Sequence, residues 1–288
     1  MTNRRDFWKT CAALPAFAFA GTEKLAGKAR LRPAICAYSY RTELKDKKLS
    51  YEDLVRMAAE MNIDGLDLTV YWFPSTSAGF LLPLKRLAYR MGVEIYSISV
   101  RTDMCQPTAE LQAKEIAEVR KWVDVAATLG AGHIRVFGGA IPKGASADQA
   151  AAWCATVLAE ASKYAGEKGV ILGLENHGGI TETADRILQI VQKVDSPWVG
   201  VNLDTGNFRT NVYSQIEKLI PYSVNVQVKA EINEDGVKKP GDWERVAGLL
   251  AKAGYKGYLA LEYEETGAMS AMPPLLAKLR QVCQKYSA

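Results

Sequence analysis

Residues 223–231 read SVNVQVKAE, with Val224, Val226 and Val228 alternating with Asn225, Gln227 and Lys229. Period two with one apolar and one polar face predicts a β-strand. From about residue 33 such runs recur: AICAYSY (34–40), GLDLTVYW (65–72), VEIYSISV (93–100), HIRVFGG (133–139), VILGLENH (170–177), WVGVNLDTG (198–206), SVNVQVKAE and GYLALEYEE (257–265). Longer amphipathic runs of helical period separate them, among them SYEDLVRMAAEMN, TADRILQIVQKV and DWERVAGLLAKAGY. Ser50 and Ser146 stand where helix N-caps belong, and Gly92, Gly130, Gly169 and Gly254 where helices stop.

Eight strand-then-helix units in about 255 residues predict an α/β fold of the (β/α)8 TIM-barrel type. A doubly wound open sheet is the competing arrangement. It has fewer strands and often a glycine-rich loop after the first, whereas here the first strand runs into YSYRTELKDKK.

A barrel fixes where the polar faces point. Outward residues meet helices and are apolar; inward residues fill the barrel, and those at C-terminal strand ends line the active site. Val224, Val226 and Val228 then face out, and Asn225, Gln227 and Lys229 face in. The same parity sends Gly173 and Glu175 inward from strand five, Asn202 and Asp204 from strand six, and Ala260, Glu262 and Glu264 from strand eight. Glu175, Asp204, Gln227 and Glu262 thus come at matched depth. Three carboxylates in a barrel mouth repel one another and resist desolvation, which a divalent cation would relieve. With the Gln227 amide oxygen the donors are all oxygen, a set suited to one Mg²⁺ or Mn²⁺. The alternative for each residue singly is a polar group hydrogen-bonded within the barrel.

The N-terminus departs from this pattern. NRRDFWK is followed by the short apolar run TCAALPAFAFA, ending in Ala18-Phe19-Ala20. Arg4 and Arg5 ahead of that run resemble a twin-arginine export signal. The expected layout is a signal peptide over 1–20, a linker over 21–32 and a catalytic barrel over 33–288. Passage through the twin-arginine machinery would leave the protein in the periplasm, without stable membrane insertion. Losing Arg4, Arg5, Lys9 and Asp6 removes a net +2 and leaves +2 of the formal +4. A chain so close to neutral carries no charge signature for nucleic acid. Cys36, Cys105, Cys154 and Cys283 have no CxxC spacing and read as buried thiols, although an oxidising compartment permits disulfides.

GLENH with Glu175, NLDTGN with Asp204, NVQVK with Gln227 and Lys229, and LALEYE with Glu262 resemble the xylose isomerase-like TIM barrels, the broad sugar isomerase/epimerase family. The resemblance spans essentially the whole mature chain. It implies one divalent metal on Glu175, Asp204, Gln227 and Glu262, with Glu175 and Glu262 also exchanging substrate protons. There are departures. Gln227 and Ala230 stand in a strand-seven motif that often reads His-x-His-x-Lys-Asp, Asn207 stands where many members have histidine, and Thr181 where ketose 3-epimerases have a second glutamate. His133 and His177 are the only histidines, too few for the multi-zinc endonuclease branch.

The implied function is a metal-dependent sugar isomerase or epimerase acting through an enediolate on a non-phosphorylated sugar or keto-sugar. The alternatives are a metal-dependent lyase or dehydratase on the same scaffold, and a non-catalytic carbohydrate-binding barrel. Lys229, His177, Asn207, Tyr38 and Trp72 are the candidate substrate contacts, the aromatics as sugar-stacking walls. The sequence leaves self-association open.

Overall fold

The computed structural model describes residues 28–287, so the expected signal segment and most of the expected linker lie outside the described residues. Eight parallel strands close into a barrel: β1 (Arg30–Cys36), β2 (Gly65–Thr69), β3 (Glu94–Ser99), β4 (His133–Phe137), β5 (Ile171–Glu175), β6 (Val199–Asp204), β7 (Ser223–Lys229) and, after a hairpin of β8 (Glu231–Glu234) and β9 (Val237–Pro240), β10 (Lys256–Glu262). The order around the barrel is β1-β10-β7-β6-β5-β4-β3-β2. Helices follow the strands: α1 (Arg41–Lys45) and α2 (Tyr51–Glu60), then α3 (Ala78–Met91), α4 (Ala109–Leu129), α5 (Ala147–Glu167), α6 (Ala184–Val194), α7 (Val212–Leu219), α8 (Trp243–Lys252) and α9 (Ala268–Tyr286). Among the described residues no helix is long and apolar enough to cross a membrane.

The local signals act as their chemistry requires. Ser50 accepts from the Asp53 amide while the Asp53 carboxylate accepts from the Ser50 amide, and Ser146 and Gln149 form the same reciprocal cap. Gly92 and Gly130 end α3 and α4 in the left-handed conformation. All four described cysteines are free and buried.

Two elements differ from expectation. β1 runs over 30–36 rather than 34–40, so Arg30–Arg32 of the expected linker are strand, and Ala37–Tyr40 form a 3-10 turn over the barrel mouth. Leu31, Pro33 and Ile35 alternate correctly, but Arg30 and Arg32 conceal the pattern. β7 stops at Lys229 instead of running to Glu231, because the chain turns back into the β8–β9 hairpin. Asp235-Gly236, both at positive φ, make its turn, a standard hairpin signal.

The apolar core lies between strands and helices. Inside the barrel a small separate cluster closes the N-terminal end, where Tyr96 and Tyr258 stack with ring centroids 3.7 Å apart. The inter-strand register slips by one residue at Leu66/Asp67 against β3 and at Val201/Asn202 against β7. Such irregularities re-aim the side chains beside them.

Candidate active site

Above the tyrosine stack the inward residues form a relay of amides. The Tyr96 hydroxyl donates to Asn225 Oδ1 (3.1 Å), Asn225 Nδ2 to Asn202 Oδ1 (2.8 Å), and Asn202 Nδ2 to Gln227 Oε1 (2.7 Å). Gln227 Nε2 then donates to Asp67 Oδ2 at 2.9 Å. Ser97 and Ser99 hydroxyls donate to Asp67 Oδ1 at 3.0 and 2.8 Å. Asp67 and Asn202, on either side of Gln227, are the residues at the two register slips. Burial raises the Asp67 carboxyl, with Arg135 and the serine hydroxyls opposing.

Since Ser97 gives its proton to Asp67, His133 Nδ1, 2.8 Å from Ser97 Oγ, carries the ring proton. Its Nε2 is then a buried acceptor without a partner. Burial, with Arg135 assisting, lowers the imidazole to about 3, so it is neutral. The space beneath Glu175 that Gly173 provides is taken by this ring, since a Cβ on Gly173 would stand 2.2 Å from His133 Nε2.

At the C-terminal end one wall is built on Glu175. Arg135 Nε lies 2.9 Å from Glu175 Oε2, while its guanidinium also donates to Tyr71 Oη (3.2 Å) and the Val100 carbonyl (2.8 Å) and sits over Phe137. Glu175 Oε1 accepts from Asn207 Nδ2 at 3.0 Å and lies 2.9 Å from His177 Nδ1. His177 stacks on Phe137 at 4.1 Å with half its side chain exposed. Burial pulls its imidazole down, but the Glu175 hydrogen bond and charge outweigh that and raise it.

The other wall is built on Lys229. Its Nζ donates to Glu262 Oε1 at 2.7 Å and lies 3.2 Å from Asp204 Oδ2 and 3.0 Å from Glu264 Oε1. Burial opposes charge on Lys229, yet the three carboxylates hold it firmly protonated. Burial likewise pushes Glu262 up, but Lys229 and Arg135 bring it below the usual carboxylate range. Asp204 is the exception: burial dominates and raises it despite Lys229. Its backbone is clamped by the Asn176 amide, which donates to the Asp204 carbonyl and accepts from its N–H, both at 2.8 Å.

Glu175 and Glu262 open on one cleft walled by Tyr38, Tyr71, Arg101 and Phe137. Tyr38 stacks on Trp72, ring centroids 6.1 Å apart, so Trp72 supports the wall from behind. A second cleft shares Glu262 and runs past Asn207 to Arg209 and Lys238 on the hairpin side. Two buried carboxylates facing one cleft can remove and return a proton on a bound molecule.

As folded, the side chains expected to hold a metal are engaged with one another and with neighbouring cations and amides. Gln227 is committed on both sides of its amide, Glu175 is held by Arg135 and Asn207, and the Lys229 ammonium stands between Asp204 and Glu262. Among the described residues no three His, Cys, Asp or Glu side chains are grouped to hold a metal ion. Lys229, one of the expected substrate contacts, pairs with Asp204 and Glu262 and also with Glu264, while Glu231 pairs with Lys238. Sequence reasoning also missed Asp67, Arg135 and Asn176. The first two carried a signal, as they are the inward residues of GLDLT and HIRVF, between leucines and between Ile134 and Val136.

The fold is shared with several solved structures, two of them sugar epimerases. The D-psicose 3-epimerase of Clostridium cellulolyticum, solved with D-tagatose, superposes with a TM-score of 0.71 at 16% identity, covering 89% of this chain and 98% of that one. The 3-keto-D-glucoside 4-epimerase of E. coli gives 0.69 at 14%, covering 88% and 100%. The IOLI protein, solved with a zinc atom, gives 0.72 at 16%, covering 88% and 99%. No curated protein matches the chain in sequence. Residues 55–284, from α2 to the last turns of α9, match the family described as xylose isomerase-like TIM barrel. The closed barrel and that match together mean that the chain belongs to the xylose isomerase-like TIM barrel family.

Proposed function

We propose that the protein is a sugar isomerase or epimerase that moves a proton at a carbon next to a carbonyl, with Glu175 and Glu262 as its two working carboxylates. The observation that carries this reading is their shared cleft: both are buried at C-terminal strand ends, and each is held by a buried cation, Arg135 or Lys229. One carboxylate takes the proton, the electron pair it leaves forms the enediolate, and the charge moves onto the former carbonyl oxygen. Return to the former carbonyl carbon, with the neighbouring hydroxyl proton passing to the former carbonyl oxygen, shifts the carbonyl; return to the opposite face of the original carbon inverts the centre. Lys229 and Arg135 keep positive charge beside the developing oxyanion.

The Tyr38–Trp72 stack offers a flat wall suited to a sugar ring. The epimerases among the solved relatives support a carbohydrate substrate. Export through the twin-arginine route, if residues 1–20 act as their pattern suggests, favours a non-phosphorylated sugar or keto-sugar. The expected Mn²⁺ or Mg²⁺ has in its support the zinc of one relative, but no step here runs through it, because the donors are otherwise engaged.

The test is deuterium entry in D₂O, followed by NMR over a panel of free aldoses, ketoses and 3-keto-sugars. Wash-in at a carbon next to the carbonyl, lost in Glu262→Gln, is the expected result. Absence of wash-in across the panel would remove the enolisation reading for those sugars.

A further inference from the structure

We propose that the Lys229 ammonium is the resident cation of this site, standing where a divalent ion would have to stand, and that the protein needs no bound metal. This rests on the reading of Glu175 and Glu262 as the working carboxylates. Lys229 Nζ lies 2.7, 3.2 and 3.0 Å from oxygens of Glu262, Asp204 and Glu264, the spacing of charge-assisted hydrogen bonds and ion pairs. A metal shared by the same carboxylates would sit at roughly 2.0–2.6 Å from each oxygen. Ammonium and dication cannot both occupy that gap, because at such separation in a poorly screened interior they repel strongly.

The lysine is built into place. Its N–H donates to Thr205 Oγ1 at 3.0 Å, and its carbonyl accepts from Trp243 Nε1 at 2.8 Å. Gly206 lets its stem pass, since a Cβ there would fall 2.4 Å from Lys229 Cγ. The side chain is only 5% exposed. The neutral ligand a metal would need from β7 has gone elsewhere, for Gln227 accepts from Asn202 and donates to Asp67. Glu175, the remaining carboxylate of the expected set, has its own cation in Arg135. The chemical consequence is a site that holds substrate oxygens by hydrogen bonds from fixed cations and offers no open coordination position.

The experiment is a titration of the full chain, stripped with EDTA, with MnCl₂, reading bound ion by calorimetry and free ion by electron paramagnetic resonance. The double variant Lys229→Met/Gln227→His, which vacates the position and supplies an imidazole, is titrated in parallel. Expected for the wild type is no saturable uptake below millimolar Mn²⁺ and the same thermal midpoint in EDTA and in Mn²⁺. The double variant should take up Mn²⁺ saturably and gain thermal stability with its concentration. Stoichiometric micromolar uptake by the wild type, with a midpoint lowered by EDTA, would overturn the proposal. A folded double variant that takes up no Mn²⁺ would overturn it too, because the position would then be no cation site. If that variant does not fold, the wild-type titration decides alone. No reading here involves a sugar, so failure of deuterium exchange and failure of the resident-cation proposal are separate results.

Discussion

The two ends of the barrel interior are built by the same alternation of side chains and hold opposite contents. At the N-terminal end two tyrosine rings stack face to face and close the barrel. At the C-terminal end Glu175, Asp204, Glu262, Arg135 and Lys229 are buried together. Between them the relay of Asn225, Asn202 and Gln227 is neutral, and each of its amides finds a partner. Pairing is obligatory at the charged end, because an isolated ion there would be strongly destabilising. The lower end loses only packing or single hydrogen bonds when altered. Damage above should therefore fall on activity and on large increments of stability, and damage below on small increments of stability alone.

The sharpest break is Glu262→Gln. It preserves shape but removes one of the two carboxylates proposed to move the proton, so deuterium wash-in should fall by about 10²–10⁴-fold. Circular dichroism would check that the fold is kept. Lys229→Ala should follow, leaving Asp204 and Glu262 buried without their cation at a cost of about 3–5 kcal/mol. Urea unfolding near neutral pH measures it, and a loss below about 1 kcal/mol, the range of exposed pairs, would show the ammonium to be effectively solvated.

His133 sharpens the comparison through pH. Its folded value lies near 3 against 6.5 for an ordinary histidine. Above the ordinary value both states are neutral; as pH falls through this window only the unfolded chain takes up the proton, so stability is lost on acidification. The loss attributable to His133 should be about 3–5 kcal/mol over the window. His133→Gln should show a correspondingly flatter decline when urea midpoints are compared at neutral and acid pH.

Gly173→Ala drives a Cβ into that histidine and should destabilise by about 1–3 kcal/mol, read as a lowered thermal midpoint. The smallest effect is expected at the closed end. Tyr96→Phe removes the donor to Asn225 and should destabilise by about 1 kcal/mol, with deuterium exchange unchanged.

Much of this molecule was legible in the chain. Period two identified eight strands and sent Glu175, Asp204, Gln227, Lys229 and Glu262 inward, because which face a strand residue occupies is local. Caps at Ser50 and Ser146 were equally local. Arg135 and Asp67 obey the same alternation, each inward between apolar outward neighbours on an early strand. What the sequence could not determine is depth and partnership. Gln227 and Lys229 are two residues apart on one inward face, yet one turns to Asp67 on β2 while the other turns to Asp204 and Glu262 on β6 and β10. That choice depends on how strands distant in sequence are staggered against one another. Two slips of register, at Leu66/Asp67 and Val201/Asn202, set that stagger beside the residues Gln227 holds. Alternation tells which way a side chain points; only the closed barrel decides what it meets at that height.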